Sequence, residues 1–600
     1  MTSGPWGDGR GTPWEYDAGP PRNRRLGRIF AETPNYRGLG RAVAGREAFR
    51  WHFGPMYYRG RLIDGHVKVL VIGQEGAQDE SLATRAFVGG TGARMQHLLS
   101  HLGITRSYLF LNTFVYPIFG QYTGRLRWLA QDPQSPIVQH RLRILDEVAA
   151  RNELRLVIAV GTAAKESVVG WVAARGGRTG GVSDVEACDA SVLGRHLRLI
   201  GVVHPGAAAA GAAAAVVADF RRAIGQVEAW ATADRGWLPP DPDGERGAAG
   251  DFVYRSAPIP FRDLPYGISW RLGRGATSSN RADAQRSIQL FGAGGSYNAR
   301  GDRPRYLVAA TGSEEGYEAD AGEVAYEPPR RPWGGYDRGP TATYARLLQG
   351  GVPGLPWPDA GELGLPGDGS FGLGGGYRGR FEDVSVLVLA DQESHDDLFC
   401  GRAMCGDGGQ HLQGFLRSAG VSHRYLILRV LPFDTLGVHW ATVRRAVEHP
   451  KTVALHSELI TRIRDANPKL SVVVTVGTHA RALVAQLPRG SLPIVELAAW
   501  HTSGPRADWQ RALDRLRELA PPTDTAPTWD WDGRRRQIPR KDLPYGSVRW
   551  RGSSGDRAVR AEEDGRPSAN YLKLFAPTWA ANLPPDPLSP EEQAAVDLAP

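Results

Sequence analysis

The chain has 600 residues, of which 42% are hydrophobic and 23% charged, and its formal net charge is +8. This length predicts several domains, each with enough apolar residues to form a core. The three cysteines are scattered, which argues against a disulfide scaffold and a metal cluster. The sequence has no apolar run of the ~20 residues that span a bilayer and no secretory signal pattern. These features argue against a membrane protein and predict a cytoplasmic protein without a cofactor.

The first half of the chain alternates short apolar runs with a helical pattern, which is typical of an α/β protein. The predicted elements, in chain order, are a strand at 67–73, a helix at about 93–102, and strands at 108–115, 154–161 and 196–206. Polar residues gather where these strands end: Gln74, Glu75, Asn112 and His204. Because ligands of open α/β sheets bind outside the carboxyl ends of the strands, these residues predict a site.

A long segment of the sequence occurs twice. Residues 69–120 align without gaps to residues 386–437, at an offset of 317. The similarity continues in three further pairs of segments: 154–171 with 470–487, 199–206 with 494–504, and 258–267 with 537–546. A repeat of this length is too long for a solenoid and predicts a duplicated domain.

Composition suggests where the domains begin and end. Residues 351–380 contain eleven glycines and four prolines, which predicts a linker that contributes nothing to a core. The predicted segments are a basic N-terminal extension (1–54), a first α/β unit (55–230), a connector and appendage with the motif DLPYG (231–310), a Gly/Pro-rich linker (311–380), a second α/β unit (381–520) and a basic C-terminal appendage that repeats DLPYG (521–600). Whether the two units pack on each other stays open.

Basic residues are concentrated near both ends of the chain. Residues 21–60 contain nine arginines against two glutamates, and residues 531–560 contain nine arginines or lysines against three aspartates. Such stretches suit a polyanion, because neutralising phosphates releases counterions. A solvated arginine-rich surface would give the same counts, so charge alone leaves nucleic-acid binding open.

Five short motifs follow one another in an order that resembles the uracil-DNA glycosylase superfamily. They are a strand ending in Gly-Gln-acid, an F-V-G-G-x-G segment that opens a helix, a strand ending in Asn, a G-T-A-A segment, and a strand ending in His-Pro. The resemblance covers about residues 55–230 and, with fewer matches, 370–520. It implies an α/β fold of two tandem three-layer α/β/α sandwiches with DNA as the partner. The implied reaction flips a nucleotide into a pocket, hydrolyses its N-glycosidic bond and leaves an abasic site.

The resemblance implies two catalytic residues. Glu75 would activate water or stabilise the oxocarbenium-like sugar, since an anion stabilises a developing positive charge. His204 would donate a hydrogen bond to O2 of the departing pyrimidine. Asp79 and Glu80 stand in the same loop as Glu75 and are predicted instead to be helix-start acids, which the helix dipole favours.

Further residues are implied to bind the base and the DNA. Gln74 would contact the sugar and base, Phe87 would stack on the flipped base, and Asn112 would read its edge with one donor and one acceptor. DNA contacts are implied at Gly92, Pro205 and Gly206. Taken singly, these residues also have ordinary structural interpretations: Glu75 as a helix-start acid, Phe87 as core, Asn112 as a strand-end cap and His204 as a turn residue.

Departures from the family pattern bear on the substrate. The best-known branch follows the acid with Pro-Tyr, whose Tyr closes the pocket against a substituent on C5 of the base, and here Gly76 and Ala77 stand instead. The missing aromatic wall predicts room for a C5-modified pyrimidine, such as glucosylated hydroxymethylcytosine in phage DNA, and hence a role in antiviral defence. Residues 112–122 lack the Cys of the iron–sulfur branches, so no cluster is expected. Residues 206–217 offer mostly methyl groups where the family inserts an apolar wedge into the duplex.

The second unit keeps His501 and has lost the other site residues. In place of Gln74, Glu75, Phe87 and Asn112 it has Asp391, Gln392, Met404 and Arg429. Asp391 or Glu393 lies close enough to replace the acid, but an arginine where the base edge should be read argues against the same pocket. The second unit is therefore predicted to bind DNA or to buttress the first, with a pocket of different specificity as the alternative.

Other functions stay open at this stage. Uracil excision in DNA repair requires only that the open space beside C5 is tolerated. A non-catalytic reader would bind modified DNA and leave the N-glycosidic bond intact. A nucleotide-binding α/β protein has less support, because the Gly-rich segment VGGTG lacks the lysine of a phosphate loop.

Overall fold

The computed structural model describes two α/β units and parts of the segments that join and flank them. The described residues are 15–20, 25–34, 48–49, 55–76, 80, 83–116, 118–119, 122, 124–210, 212–255, 257, 259–268, 289–291, 335–365, 376–393, 397, 400–433, 435, 438–487, 492–500, 502, 505–534, 536–547, 558–563 and 566–575. No helix in these ranges has both the length and the apolar character needed to cross a membrane.

The first unit is built around a five-stranded sheet. The elements up to its end are α1 (Arg25–Ala31), β1 (Ala48–Phe49), β2 (Arg59–Gly60), β3 (Val69–Gly73), α2 (Gly90–His101), β4 (Tyr108–Asn112), β5 (Ile118–Phe119), α3 (Gly124–Gln131), α4 (Pro136–Arg151), β6 (Leu156–Val160), α5 (Thr162–Ala174), β7 (Arg198–Val202) and α6 (Ala213–Ala233). The strand order is β2-β4-β3-β6-β7, with β2 antiparallel to β4 and the other neighbours parallel. The predicted α/β fold class is confirmed.

Helices cover both faces of this sheet, because its strands are apolar on both sides. In β3, Leu70 and Ile72 pack in a cluster with residues of α4 and α5. The alternate residues Val69 and Val71 pack in a second cluster with residues of α2 and α6. Each such buried side chain stabilises the fold by about 1.5–3 kcal/mol relative to an exposed one. The result is a helix–sheet–helix arrangement that holds the strand ends rigidly.

The second unit repeats this architecture. Its elements, with the short strand that precedes them and the two that follow, are β8 (Gln289–Phe291), α7 (Ala342–Leu348), β9 (Tyr377–Gly379), β10 (Val386–Ala390), α8 (Asp407–Ser418), β11 (Tyr425–Arg429), α9 (Trp440–Val447), α10 (Pro450–Ala466), β12 (Val472–Val476), α11 (Thr478–Gln486), β13 (Ile494–Leu497), α12 (Pro505–Leu519), β14 (Ala558–Glu563) and β15 (Arg566–Phe575). The sheet order is β9-β11-β10-β12-β13, and again only the first strand runs antiparallel. Strands β14, β15 and β8 form a separate sheet.

Two segments predicted to lie outside the cores contribute to them. Leu347 of α7 and Leu365, both within the predicted linker (311–380), are buried in the core of the second unit, and Leu365 lies in its Gly/Pro-rich stretch (351–380). Ile29 and Phe30 of α1, within the predicted N-terminal extension, are buried in the core of the first unit. The expectation that the Gly/Pro-rich stretch adds nothing to a core is therefore wrong at the described residues. A few apolar side chains between turns are enough to dock against a preformed sheet, and average composition does not reveal them.

Candidate active site

The carboxyl ends of four parallel strands lie along one edge of the first sheet. β3 and β4 pair so that Gly73 lies opposite Asn112, and β6 and β7 pair so that Val160 lies opposite Val202. The strand-end residues that this pairing brings to one edge are Gln74, Glu75, Asn112 and His204. Ligands of parallel sheets bind at such an edge, outside the strand ends. The candidate active site is this edge of the first unit.

Asn112 is the most unusual residue of the site. Its side chain is buried, with 8% exposure, yet neither Oδ1 nor Nδ2 has a hydrogen-bond partner among the described residues. A buried polar group without a partner costs about 1–3 kcal/mol, so native structures usually pair such a group with protein, water or a ligand. A carboxamide offers one acceptor and two donor hydrogens, which suits the edge of a nucleobase.

Phe87 lies beside this amide. A Cβ atom on Gly73 would be 2.3 Å from Cζ of Phe87 and 2.8 Å from Oδ1 of Asn112. The aromatic ring and the amide therefore share the space over Gly73, which only glycine leaves open. Phe87 is 6% exposed and its ring centroid lies 4.9 Å from that of Phe110, which supports it from behind.

The loop that carries Phe87 is held by an acid at its base. Oε1 of Glu80 accepts hydrogen bonds from the backbone N–H groups of Val88 at 3.0 Å and Gly89 at 2.9 Å. Glu80 is therefore a buried brace of this loop, and the interpretation of Glu80 as a helix-start acid misses this role. Gly92 is also buried, and it packs so closely on this loop that a Cβ there would lie 1.7 Å from the carbonyl oxygen of Phe87. Its implied contact with DNA stays a prediction.

His204 is exposed at the far end of the edge, after β7. Its Nδ1 accepts a hydrogen bond from the backbone N–H of Gly206 at 3.0 Å. In the neutral ring the proton therefore resides on Nε2, which makes Nε2 a donor. Gly161, at a φ of +81°, brings the start of α5 against the imidazole, since a Cβ on Gly161 would lie 3.2 Å from Cβ of His204. Pro205 is buried, and its carbonyl accepts a hydrogen bond from Tyr254 at 3.3 Å.

Gln74 and Glu75 are half-buried after β3. The carbonyl of Gln74 accepts a hydrogen bond from the N–H of Phe114 at 2.9 Å, which ties the acid-bearing loop to the segment after β4. Gly76 packs tightly, because a Cβ there would lie 2.3 Å from the sulfur of Met56. The remaining loop residues of interest, Ala77 and Asp79, lie outside the described residues, so the open space beside C5 stays a prediction.

In the second unit, the corresponding residues bond to their own backbone. Asp391 caps α11, its two carboxylate oxygens accepting the N–H groups of His479 at 3.1 Å and Ala480 at 2.7 Å. Arg429 donates from Nη2 to the carbonyl of Phe433 at 2.5 Å. His501 lies outside the described residues. Asp391 and Arg429 therefore make hydrogen bonds to the backbone of the second unit.

Two other side chains of the second unit, Met404 and Glu393, are buried. Met404, which replaces the stacking phenylalanine, is fully buried. Glu393 is buried over Gly408, where a Cβ would lie 1.5 Å from Oε2, and its Oε1 accepts the N–H of Trp500 at 3.2 Å. Its ability to replace the catalytic acid stays a prediction.

An exposed tryptophan of the first unit carries no signal in the strand-end pattern. Trp128 on α3 has 62% of its surface exposed. Its neighbour Arg127 donates from Nε to Glu166 of α5 at 2.9 Å, and α5 begins beside His204. An aromatic residue among arginines is a pattern typical of nucleic-acid contacts, so the letters GRLRW at 124–128 could have revealed it.

Within the described ranges, no three His, Cys, Asp or Glu side chains come together in a way that could hold a metal ion. Residues 61–227 match the family model described as the Uracil DNA glycosylase superfamily. The matched residues include β3, β4, β6 and β7, and with them the four strand ends of the candidate site. The match supports superfamily membership for the first unit and ends before the second. No curated protein matches the chain.

Proposed function

We propose that the first unit is a monofunctional DNA glycosylase that removes a flipped pyrimidine and leaves an abasic site. Members of the superfamily that residues 61–227 match generally hydrolyse N-glycosidic bonds in DNA. The observation that carries the proposal is the buried amide of Asn112, which has no partner among the described residues and lies beside the ring of Phe87. This pair offers what a flipped base requires, a hydrogen-bonding edge and an aromatic face.

In the proposed reaction, the bond between C1′ of the sugar and the ring nitrogen of the base breaks, and its electrons pass to the base. Nε2–H of His204 donates to the pyrimidine O2, where negative charge develops. The carboxylate of Glu75 stabilises the cationic sugar or takes a proton from the water that attacks C1′. Water supplies the hydroxyl that ends on C1′, and a proton ends on the released base.

We further propose that the substrate carries a substituent on C5, as modified phage cytosines do. Support comes from the sequence, in which Gly76 and Ala77 replace the Pro-Tyr pair that closes the C5 side in the best-known branch. The antiviral role rests on the same argument and on the occurrence of such bases in phage DNA. Replacing Ala77 with Tyr should abolish cleavage of the modified base and spare any uracil activity.

The test is alkali-sensitive cleavage of four DNAs: plain, uracil-containing, hydroxymethylcytosine-containing and glucosylated. Wild type is compared with Asn112→Ala, and with Arg429→Ala at the corresponding position of the second unit. Abasic sites in modified DNA that disappear only in Asn112→Ala support the proposal. Cleavage of uracil alone would assign the protein to repair. Tight binding without any abasic sites would make it a reader and refute the enzyme proposal.

A further inference from the structure

Outside the two sheets, a second pair of matching segments binds the units together. The sequence Tyr-Asp-x-Gly-Pro occurs at 16–20 and again at 336–340. Oδ2 of Asp17 accepts hydrogen bonds from Nε of Arg85 and from the hydroxyl of Tyr58, both at 2.6 Å. The second unit makes the same arrangement with a matching set: Asp337 accepts from Arg402 at 2.5 Å and from Tyr377 at 2.6 Å.

The two arginines of these arrangements reach across to the opposite unit. Nη1 of Arg85 donates to the carbonyl of Tyr545 at 2.9 Å, and Oγ1 of Thr84 donates to the same carbonyl at 3.2 Å. Reciprocally, Nη1 of Arg402 donates to the carbonyl of Tyr266 at 2.6 Å. Both acceptors belong to the repeated DLPYG motif. The interface is thus isologous in pattern, as in a symmetric dimer, although both sides belong to one chain.

Each DLPYG segment is anchored in its own unit before it crosses. Asp263 forms a buried ion pair with Arg59 of the first unit at 2.7 Å. Asp542 forms the matching pair with Arg378 of the second unit at 3.2 Å. Because removal of one partner leaves an uncompensated buried charge, each anchor is costly to break. The carbonyl of Tyr545 is therefore presented to the first unit from a fixed position in the second.

We propose that segment 542–546 is a positioning element for the base pocket of the first unit and acts on Phe87 through Thr84 and Arg85. The identity of the pocket rests on the proposed function. Thr84 and Phe87 have φ angles of 57° and 55°, a region that is unfavourable for residues other than glycine and persists only when the surroundings enforce it. Two contacts hold the loop in this conformation. The carbonyl of Tyr545 binds Arg85 at the start of the loop, and the carboxylate of Glu80 binds the N–H of Val88 at its end.

The reciprocal contact provides a matched control. Arg402 precedes Met404 as Arg85 precedes Phe87, and Met404 also has a positive φ, of 54°. Both arginine side chains are 1% exposed, and both pair with an aspartate and with a carbonyl of the opposite unit. Arg85 leads to a phenylalanine beside the amide of Asn112, which has no partner among the described residues, whereas Arg402 leads to Met404. A purely structural role would make the two arginines equivalent for activity.

The experiment compares Arg85→Met with Arg402→Met in the full chain, by hydrogen–deuterium exchange and by single-turnover kinetics. Arg85→Met should speed amide exchange in residues 83–89 by at least ~10-fold, because a loop that loses its restraint opens more often. The same variant should lower the rate of the chemical step by roughly 10–100-fold, as small misplacements at an active site do, while DNA affinity changes less. Arg402→Met should speed exchange in residues 400–406 and leave the chemical step within about threefold of wild type.

Equal losses of the chemical rate in the two variants, or unchanged exchange in residues 83–89 of Arg85→Met, would overturn the proposal. If Arg85→Met fails to fold, Thr84→Val removes the hydroxyl that donates to Tyr545 and accepts from Nη1 of Arg85 at 3.0 Å, and leaves the bond from Arg85 to Tyr545 possible. It should shift exchange in the same direction by a smaller factor, and unchanged exchange there would also overturn the proposal. If wild type forms no abasic sites on any DNA, the proposed function falls. The exchange experiment then still decides whether segment 542–546 restrains this loop.

Discussion

Replacing Asn112 with Leu should stabilise the free protein and inactivate it at once. The buried amide has no hydrogen-bond partner among the described residues, so an apolar side chain of similar size removes an unfavourable term of about 1–3 kcal/mol. Under the proposed function, the same change removes two hydrogen bonds to the base, each contributing about 1.5 kcal/mol. Together these correspond to a loss of about 10²-fold in kcat/KM, since each 1.4 kcal/mol is a factor of ten.

The assay pairs urea unfolding of the full chain with glycosylase kinetics on whichever DNA the substrate panel identifies. A matched control is Asn467→Leu in the second unit. Asn467 is 2% exposed, and its amide accepts from Val384 at 3.0 Å and donates to Phe381 at 2.8 Å and Ile463 at 2.7 Å. Because these bonds are satisfied, its loss should destabilise the protein by about 3 kcal/mol or more. The two substitutions are thus expected to change stability in opposite directions.

If Asn112→Leu destabilises the protein as much as Asn467→Leu does, the amide is engaged in the free protein and is not held in reserve for a base. If it stabilises the protein and leaves kcat/KM intact, Asn112 does not read the base. Either result would remove the main support for the proposed site.

Three further predictions concern pH, DNA contact and packing. Burial lowers the pKa of His140 and of His456 to about 4, whereas the value for an unfolded histidine is 6.5. As the pH falls from 6.5 to 4, these histidines therefore bind protons in the unfolded chain but not in the native state. Urea unfolding should therefore show about 2 kcal/mol less stability per histidine at pH 5 than at pH 7, and no such loss would contradict the burial argument. Trp128→Ala should weaken DNA binding about 10-fold, measured by fluorescence anisotropy. The control is Trp440→Ala, since Trp440 is exposed to a similar degree in the second unit. Equal weakening in the two variants would contradict a specific DNA contact by Trp128. Gly73→Ala forces a Cβ to 2.3 Å from the ring above it and should lower kcat/KM by about 10²-fold in single-turnover assays; wild-type kinetics would show that the ring can move freely.

The sequence predicts the strand-end site well because its signals are local. Apolar runs that end in Gly73 and Asn112 mark the strands, and parallel pairing then places both ends at one edge. The observed strands are shorter than the apolar runs, as in β7, since pairing stops before the apolar residues do. Nothing local reveals that Glu80 reaches eight and nine residues ahead to brace the Phe87 loop.

The contacts between the units could not be predicted from local patterns, because they join residues hundreds of positions apart. Arg85 bonds to the carbonyl of Tyr545, 460 residues further along the chain, and pairs with Asp17 in an ion pair that is largely buried. The signal that could have identified them is the repeated Tyr-Asp-x-Gly-Pro segment, whose copies fall in the N-terminal extension and in the Gly/Pro-rich stretch. The first region was predicted to be a basic extension and the second a linker, because average composition hides a short motif.

The crossing of the DLPYG segments has a consequence for deletion mapping of this protein. Such mapping assigns an activity to the part of the chain whose removal abolishes it. Removing residues 536–547 would withdraw the carbonyl of Tyr545 from Thr84 and Arg85, although every proposed catalytic side chain lies before residue 230. The activity would then be assigned to the C-terminal half, which has none of its own under the function proposed here. Point substitutions that preserve the contacts of both DLPYG segments are therefore better suited to determine which half carries the activity.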